Sequence, residues 1–272
     1  MKGRPPRWLA LAFLLAPALA EAQPAPAASA PGIADNSFLL EEAYNQEPGV
    51  IQHISSFTRF GEGDWSYAFT EEWPAPSQRH QLSVTLPVQA AGEHSGFGDA
   101  GLNYRYQALD GSRGGVAFAP RLSLLLSTGD ADRGLGSGGA GLQVNLPVSI
   151  QRSRRFVTHS NLGATWIPNA RGADRATAST RGFNAGQSVI WIARPAFHPL
   201  LELAWTRSET VVGPDRTESV DTLYLSPGLR WAHNLKSGLQ IVPGIAVPVG
   251  IGPSSGDTGV LLYLSFEHTL WR

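Results

Sequence analysis

The chain has 272 residues, with 21 lysines and arginines against 22 aspartates and glutamates, 42% hydrophobic residues, 30 glycines and no cysteine. The near-zero net charge gives no support to nucleic-acid binding, and the missing cysteines exclude disulfides and thiolate metal sites. Past the N-terminus no apolar run approaches the roughly 18 residues of a membrane-spanning helix, which excludes a helical membrane protein.

Lys2, Arg4 and Arg7 precede an apolar run from Trp8 to Ala20, and Ala18-Leu19-Ala20 and Ala20-Glu21-Ala22 both offer small-residue cleavage sites. This pattern predicts a cleaved signal peptide over residues 1–22, since about 13 apolar residues are too few to span a bilayer. Residues 23–34 are Ala/Pro-rich and read as a linker.

Residues 35–49 differ in kind. Phe38, Leu40 and Tyr44 make the segment too apolar for a plain tail, while Glu41, Glu42 and Glu47 make it too acidic to lie in lipid. A short helix capped by Ser37 is expected here, with Leu40 and Tyr44 on one side. Burial in the periplasmic mouth of a barrel satisfies both halves, with the acids meeting Arg105, Arg121 or Arg230. Phe38, Leu40, Glu41, Glu42 and Tyr44 are the expected contacts of such a plug.

From Val50 to the end the dominant signal has period two. In 116–127, Phe118, Leu122 and Leu124 alternate with Ala117, Ala119, Arg121 and Ser123; in 140–151, Leu142, Val144, Leu146, Val148 and Ile150 alternate with Gln143, Asn145, Ser149 and Gln151. Alternation puts the two sets on opposite faces of a strand. Runs of about ten residues suit a tilted strand crossing a bilayer, where soluble strands are nearer five or six. About twelve such segments follow one another, centred on 50–59, 65–73, 80–88, 97–108, 116–127, 140–151, 156–166, 183–193, 200–210, 222–232, 239–248 and 259–270. The weakest is 183–193, because Val189-Ile190-Trp191-Ile192 is apolar on both faces.

The connections alternate in length. The longer set includes 89–95, 128–139, 167–181, 211–221 and 249–258, which predicts external loops opposite short periplasmic turns. Trp73, Trp191, Trp231 and Trp271 near one set of ends, with Trp65 and Trp166 near the other, make two interfacial girdles. The expected fold is all-β: a single antiparallel transmembrane barrel of outer-membrane type over 50–272, its C-terminal strand read by the barrel-assembly machinery, its outer wall against outer-membrane lipid.

The opening Asp35-Asn36-Ser37-Phe38-Leu39-Leu40-Glu41-Glu42-Ala43-Tyr44-Asn45-Gln46-Glu47, followed by Gln52-His53-Ile54, resembles that of the phenol-degradation meta-pathway family. Gly98-Asp99-Ala100-Gly101-Leu102-Asn103-Tyr104-Arg105-Tyr106, Pro120-Arg121-Leu122-Ser123 with Thr128-Gly129-Asp130, and Leu261-Tyr263-Leu264-Ser265-Phe266-Glu267 are similar to it too. The resemblance implies a bacterial outer-membrane barrel of transporter type and says little about its solute.

Chemistry-bearing motifs are few. Gly134-Leu135-Gly136-Ser137-Gly138-Gly139 matches a dinucleotide fingerprint in form, but a strand follows where that motif needs a helix N-terminus. Asp130 and Asp132 lack the later glutamate of a calcium loop, so no metal and no cofactor is expected. A membrane-embedded lipid hydrolase needs a paired nucleophile and base. His159 and Ser160 are adjacent and face opposite sides, while His53 and Ser55 share a face without an evident orienting partner. No catalytic residue is assigned. The inward parity collects Arg105, Arg121, Asn145, His159, Asn161, Glu202, Tyr224, Arg230 and Tyr263 as candidates for solute selectivity, with Arg121, Glu202 and Arg230 foremost. The favoured function is a channel or transporter for small, apolar or aromatic molecules. A binding or structural barrel with a closed lumen, and the hydrolase, are the alternatives.

Overall fold

The computed structural model describes residues 33, 35–61, 63–172 and 174–269. The signal peptide, nearly all of the linker, and Trp271 lie outside the described residues. Twelve antiparallel strands form one closed sheet. They are β1 (Val50–Phe60), β2 (Trp65–Pro74), β3 (His80–Ala91) and β4 (His94–Phe97, Gly101–Tyr106 and Leu109–Asp110). Next come β5 (Val116–Phe118 and Arg121–Leu125), β6 (Gly141–Asn145 and Val148–Ser153), β7 (Phe156–Arg171) and β8 (Thr177–Trp191). The wall is completed by β9 (Phe197–Gly213), β10 (Arg216–Trp231, continued by His233–Asn234), β11 (Gln240–Ala246 and Val249–Gly250) and β12 (Gly259–Thr269). Each strand pairs with its sequence neighbour, and β1 closes on β12 from Val50↔Thr269 to Phe60↔Gly259.

Closure leaves no unpaired edge, so every strand backbone has a partner in the wall. The side chains follow the alternation. Leu82, Leu86, Leu122, Leu124, Leu142 and Val144 are exposed on the outside, while Gln81, Ser83, Ser123 and Asn145 are buried inside. A polar interior within an apolar outer band inverts a soluble protein and suits a bilayer. In 183–193 the same rule resolves the ambiguity: Val189 and Trp191 face out, and Ile190 is 1% exposed inside. Among the described residues five wall strands are interrupted, and in three of them the break falls at or just before Pro120, Pro147 or Pro248, where a missing N–H breaks the ladder.

Two expectations fail. Of the five long loops, only those around 128–139 and 249–258 are loops, each holding one short 3₁₀ turn (Ala131–Arg133 and Gly252–Ser254). At 89–95, 167–181 and 211–221 the strands run on and reverse tightly; Glu209 still pairs with Ser219 and Val211 with Thr217. There small and polar residues fall on both faces, so the apolar–polar contrast vanishes while the backbone ladder continues. The helix expected within 35–49 is also absent: the segment is extended with bends, for a reason that lies in the lumen.

Candidate functional site: the lumen and the segment inside it

Residues 35–46 run through the interior, and the wall supplies what a helix would have supplied. Leu39 N donates to Glu202 Oε1 at 3.0 Å, Glu41 N to Asn161 Oδ1 at 2.9 Å, Ala43 N to Ser149 Oγ at 2.8 Å and Asn45 N to Gln107 Oε1 at 2.8 Å. Gln46 N continues onto Gln81 Oε1 at 2.7 Å. The acceptors on residues 39, 41, 43 and 45 come from β9, β7, β6 and β4, so alternate amides of one extended edge are met by side chains spaced around the barrel. Buried amides left without acceptors cost free energy comparable to a lost hydrogen bond; here an extended backbone satisfies them and a helix would not align with these acceptors.

The upstream end is anchored at the closing seam. Asp35 accepts hydrogen bonds from Gln52 Nε2 at 3.0 Å on β1 and from the hydroxyls of Tyr263 and Ser265 on β12. Arg230 on β10 donates through Nη1 to the carbonyls of Asp35 at 2.7 Å and Asn36 at 2.6 Å. Ser37 and Ser188 share a hydroxyl hydrogen bond at 2.6 Å.

The apolar residues sit in sockets made by absent side chains. Phe38 lies 5.3 Å from the Tyr263 ring, centroid to centroid. A Cβ on Gly244 would stand 2.5 Å from the Phe38 ring, and one on Gly228 2.8 Å. Gly186 gives Leu40 its clearance in the same way. Burial of one such side chain stabilises by about 2 kcal/mol.

Charge completes the docking. Arg121 grips Glu41 with Nη2 to Oε1 at 2.5 Å and Nε to Oε2 at 2.9 Å, and Asn145 Nδ2 adds a third bond at 2.9 Å. Burial alone pushes the Glu41 carboxyl up, but Arg121's charge and hydrogen bonds outweigh it and hold Glu41 below its ordinary value. Arg105 donates to Asn45 Oδ1 at 3.0 Å and to the Tyr44 carbonyl at 2.7 Å, and lies 3.5 Å from Glu72. Among the described residues no arginine hydrogen-bonds the Glu42 carboxyl. Burial, then the nearby Asp35, raises it to about 8.

Most of the candidate residues thus meet one segment. Arg105, Arg121, Asn145, Asn161, Glu202, Arg230 and Tyr263 touch it directly, and His159 reaches it through Ser149, whose Oγ lies 2.7 Å from Nδ1. Tyr224 stands apart: its hydroxyl donates to Asp257 at 3.1 Å and its ring packs against Phe60 at 5.1 Å, toward the other mouth. Sequence reasoning did not single out Gln52, Gln81, Gln107, Ser149, His198 or the three socket glycines. Inward parity marked most of them; nothing marked which inward residues face a docked strand of chain.

The other motifs resolve quietly. The glycine-rich loop is tied by Asp99, which accepts from Gly129 N at 2.9 Å and Ser137 N at 2.6 Å, and β6 follows it. Asp130 and Asp132 pair with Arg133 at 3.3 Å and Arg175 at 3.1 Å on the surface. His53 lies 3.4 Å from Glu71 and stacks on Phe266, while Ser55 shares its hydroxyl with Tyr67 at 3.1 Å. Glu71 is an orienting partner the sequence did not reveal. Even so, Ser55 pairs with Tyr67 and not with His53.

No protein-family model matches the chain, and no curated protein matches it. The resemblance to the phenol-degradation meta-pathway family therefore stands on its quoted residues alone. Solved structures do match. An outer membrane channel from Pseudomonas putida F1 superposes with a TM-score of 0.62 at 13% identity, over 83% of this chain and 97% of that one. The NanC porin does so with a TM-score of 0.52 at 5% identity, over 79% and 98%. At such identities the likeness is one of architecture, and the architecture is that of the outer-membrane β-barrels.

Proposed function

We propose that this chain is an outer-membrane channel for small, apolar or aromatic molecules, with residues 35–49 as the constriction of its lumen. The observation that carries the reading is the docked segment. An interior filled only to stabilise the barrel would be closed by wall side chains pairing across it; here a separate length of chain is held by polar side chains of many strands. Unfilled space remains on its flanks, a cavity of about 340 Å³ beside Glu42 and Tyr44 and a wider one of about 880 Å³ by Tyr44, Asn45 and Gln107. Pockets of this size take small organic solutes. The matched channel and porin support the same reading through their architecture. No hydrolytic role is proposed: Ser55 pairs with Tyr67 and not with His53, and the Ser149–His159 hydrogen bond is buried under the docked segment, with Ser149 Oγ taken up by the Ala43 amide.

A barrel with a permanently closed lumen is the second reading, favoured by the number of hydrogen bonds that fix the segment. Deleting Asp35 to Gln46 while leaving Val50 onward intact separates the two. In planar bilayers the channel reading expects wild type to conduct weakly and the deletion to conduct several-fold more, with unchanged heat-modifiable migration on a gel. A silent wild type together with a conducting deletion would support the closed barrel, and silence in both would end the channel reading.

A further inference from the structure

One cavity beside the docked segment is built to receive something. It holds about 340 Å³ and lies near the short-turn end of β6 to β10, walled by Val157, Ile190, Ile192 and Ile33 on its apolar side. Its polar side is His159, His198 and Arg230. These three are almost fully buried, each 2% exposed. Yet neither ring nitrogen of His198 makes a well-formed hydrogen bond, although the Pro195 carbonyl is close, and Arg230 has none on Nε, among the described residues. Buried polar atoms are nearly always paired, and each left unpaired costs about 1–3 kcal/mol. Three orphaned atoms on neighbouring wall positions, with His198 opposite Arg230 in the β9–β10 register, mark a site completed from outside.

The chemistry of the missing group follows from hydrogen-bond roles. Ser149 Oγ accepts from Ala43 N at 2.8 Å and shares a second hydrogen bond with His159 Nδ1 at 2.7 Å, in which either group can donate. His159 Nε2 is a donor when Ser149 supplies that proton, and it has no partner among the described residues. Arg230 Nε is a donor by nature, and either tautomer of His198 supplies another. The cavity therefore presents several donors and an apolar wall. We propose that it binds a monocarboxylate with a small apolar body, aromatic or short and branched, its carboxylate held by Arg230, His198 and His159 and its body against Val157, Ile190 and Ile192. A charged acceptor answering several donors forms the stronger kind of hydrogen bond. Glu42 also lines the cavity. Burial raises its carboxyl to about 8, so near neutral pH it is mainly protonated and adds a donor in place of a repelling charge.

The inference rests on the channel reading only for the route by which the acid arrives, and binding is measured without that route. Full-length protein in detergent micelles is titrated calorimetrically with benzoate, with benzyl alcohol as the uncharged analogue and with acetate as the acid lacking a body. Benzoate is expected to bind saturably, one per chain, and both analogues at least about tenfold more weakly, the difference a charged hydrogen-bonding group makes. His198→Leu removes a side chain that makes no well-formed hydrogen bond within the fold. It should weaken benzoate by about tenfold with no change for benzyl alcohol, and His198→Gln should recover part of the loss. Equal heat-modifiability on gels certifies both variants as folded. Absent benzoate binding, equal binding of benzyl alcohol, or an unaltered His198→Leu each overturns the proposal. Benzoate binding in micelles beside silent bilayers would sink the channel reading alone; conduction without benzoate binding would sink the proposal alone.

Discussion

Arg121 on the wall and Glu41 in the lumen, 80 residues apart, form a two-pronged ion pair with nitrogen–oxygen distances of 2.5 and 2.9 Å. The pair is only partly exposed, 16% for Arg121 and 26% for Glu41, and Glu41 keeps its charge. Breaking such a pair from one side leaves a charge stranded in a poorly hydrated place, which costs on the order of 3 kcal/mol. Arg121→Ala is therefore expected to release residues 39–43 for much of the time, seen as frequent openings in single-channel records and as faster proteolysis of the segment. The exchanged double variant, Arg121→Glu with Glu41→Arg, should restore the closed behaviour in part. Records identical to wild type in Arg121→Ala would remove the ion pair from the docking account.

The socket glycines give a test that involves no charge. Gly244→Ala places a methyl group against the Phe38 ring, where 2.5 Å is available and about 3.5–4 Å is needed. The outer wall is untouched. Expected is a barrel of normal thermal stability with a loosened segment, and Phe38→Ala added to Gly244→Ala should seat it again by making room. A Gly244→Ala barrel whose segment resists protease as wild type does would show that the socket is not tight.

Docking should weaken as pH rises. Free in solution Glu42 titrates near its ordinary value of 4.5; docked, it does so at about 8 because burial and then Asp35 disfavour its charge. The docked state thus binds the proton more tightly. Its advantage is complete below pH 4.5, is lost progressively up to about 8, and changes no further above that. Glu41 acts in the opposite sense, but only below its ordinary value of 4.5. Conductance measured at pH 5, 7 and 9 should increase in that order, and Glu42→Gln should flatten the profile. A profile that stays steep in Glu42→Gln assigns the effect to another group.

Removing the segment should also change ion preference. Arg105, Arg121 and Arg230 each hydrogen-bond residues 35–45; without the segment they face an aqueous lumen. The deletion lacking 35–46 is expected to favour anions, and adding Arg121→Ala and Arg230→Ala should move the reversal potential toward cations. Equal reversal potentials in the two deletion barrels would take both arginines out of the pore's field.

The wall was legible in the sequence because it obeys one local rule. Leu142, Val144 and Leu146 contrast with Gln143 and Asn145 whatever surrounds them, and all twelve segments became strands. The rule failed where its physical cause ended: beyond the apolar belt, Thr217 and Glu218 carry no contrast, so continuing strands passed for loops. Within 35–49 the composition pointed to the lumen, since Phe38 and Glu41 suit neither lipid nor water. The conformation did not show, because Leu40 and Tyr44 at helical spacing describe a helix only if no better acceptors exist, and those acceptors are Glu202, Asn161 and Ser149, distant in sequence. His198 was missed for a related reason: what distinguishes it is a lack of partners, and that has no signature in a string of residues.

The partners of Asp35 have a consequence for the order of events in folding. Gln52 belongs to the first strand and Tyr263 and Ser265 to the last, and the three converge on one carboxyl only after β1 has met β12. An open, growing sheet offers the segment acceptors on one side and nothing at the seam. Threading of residues 35–46 is thus the final step, slower than pairing of sequence neighbours because its contacts span the whole chain. In refolding from urea, the strand signal and heat-modifiability should mature first. Protection of Phe38 and Tyr44 should follow in a separate, later phase, so that a newly closed barrel passes through an interval with its interior unoccupied.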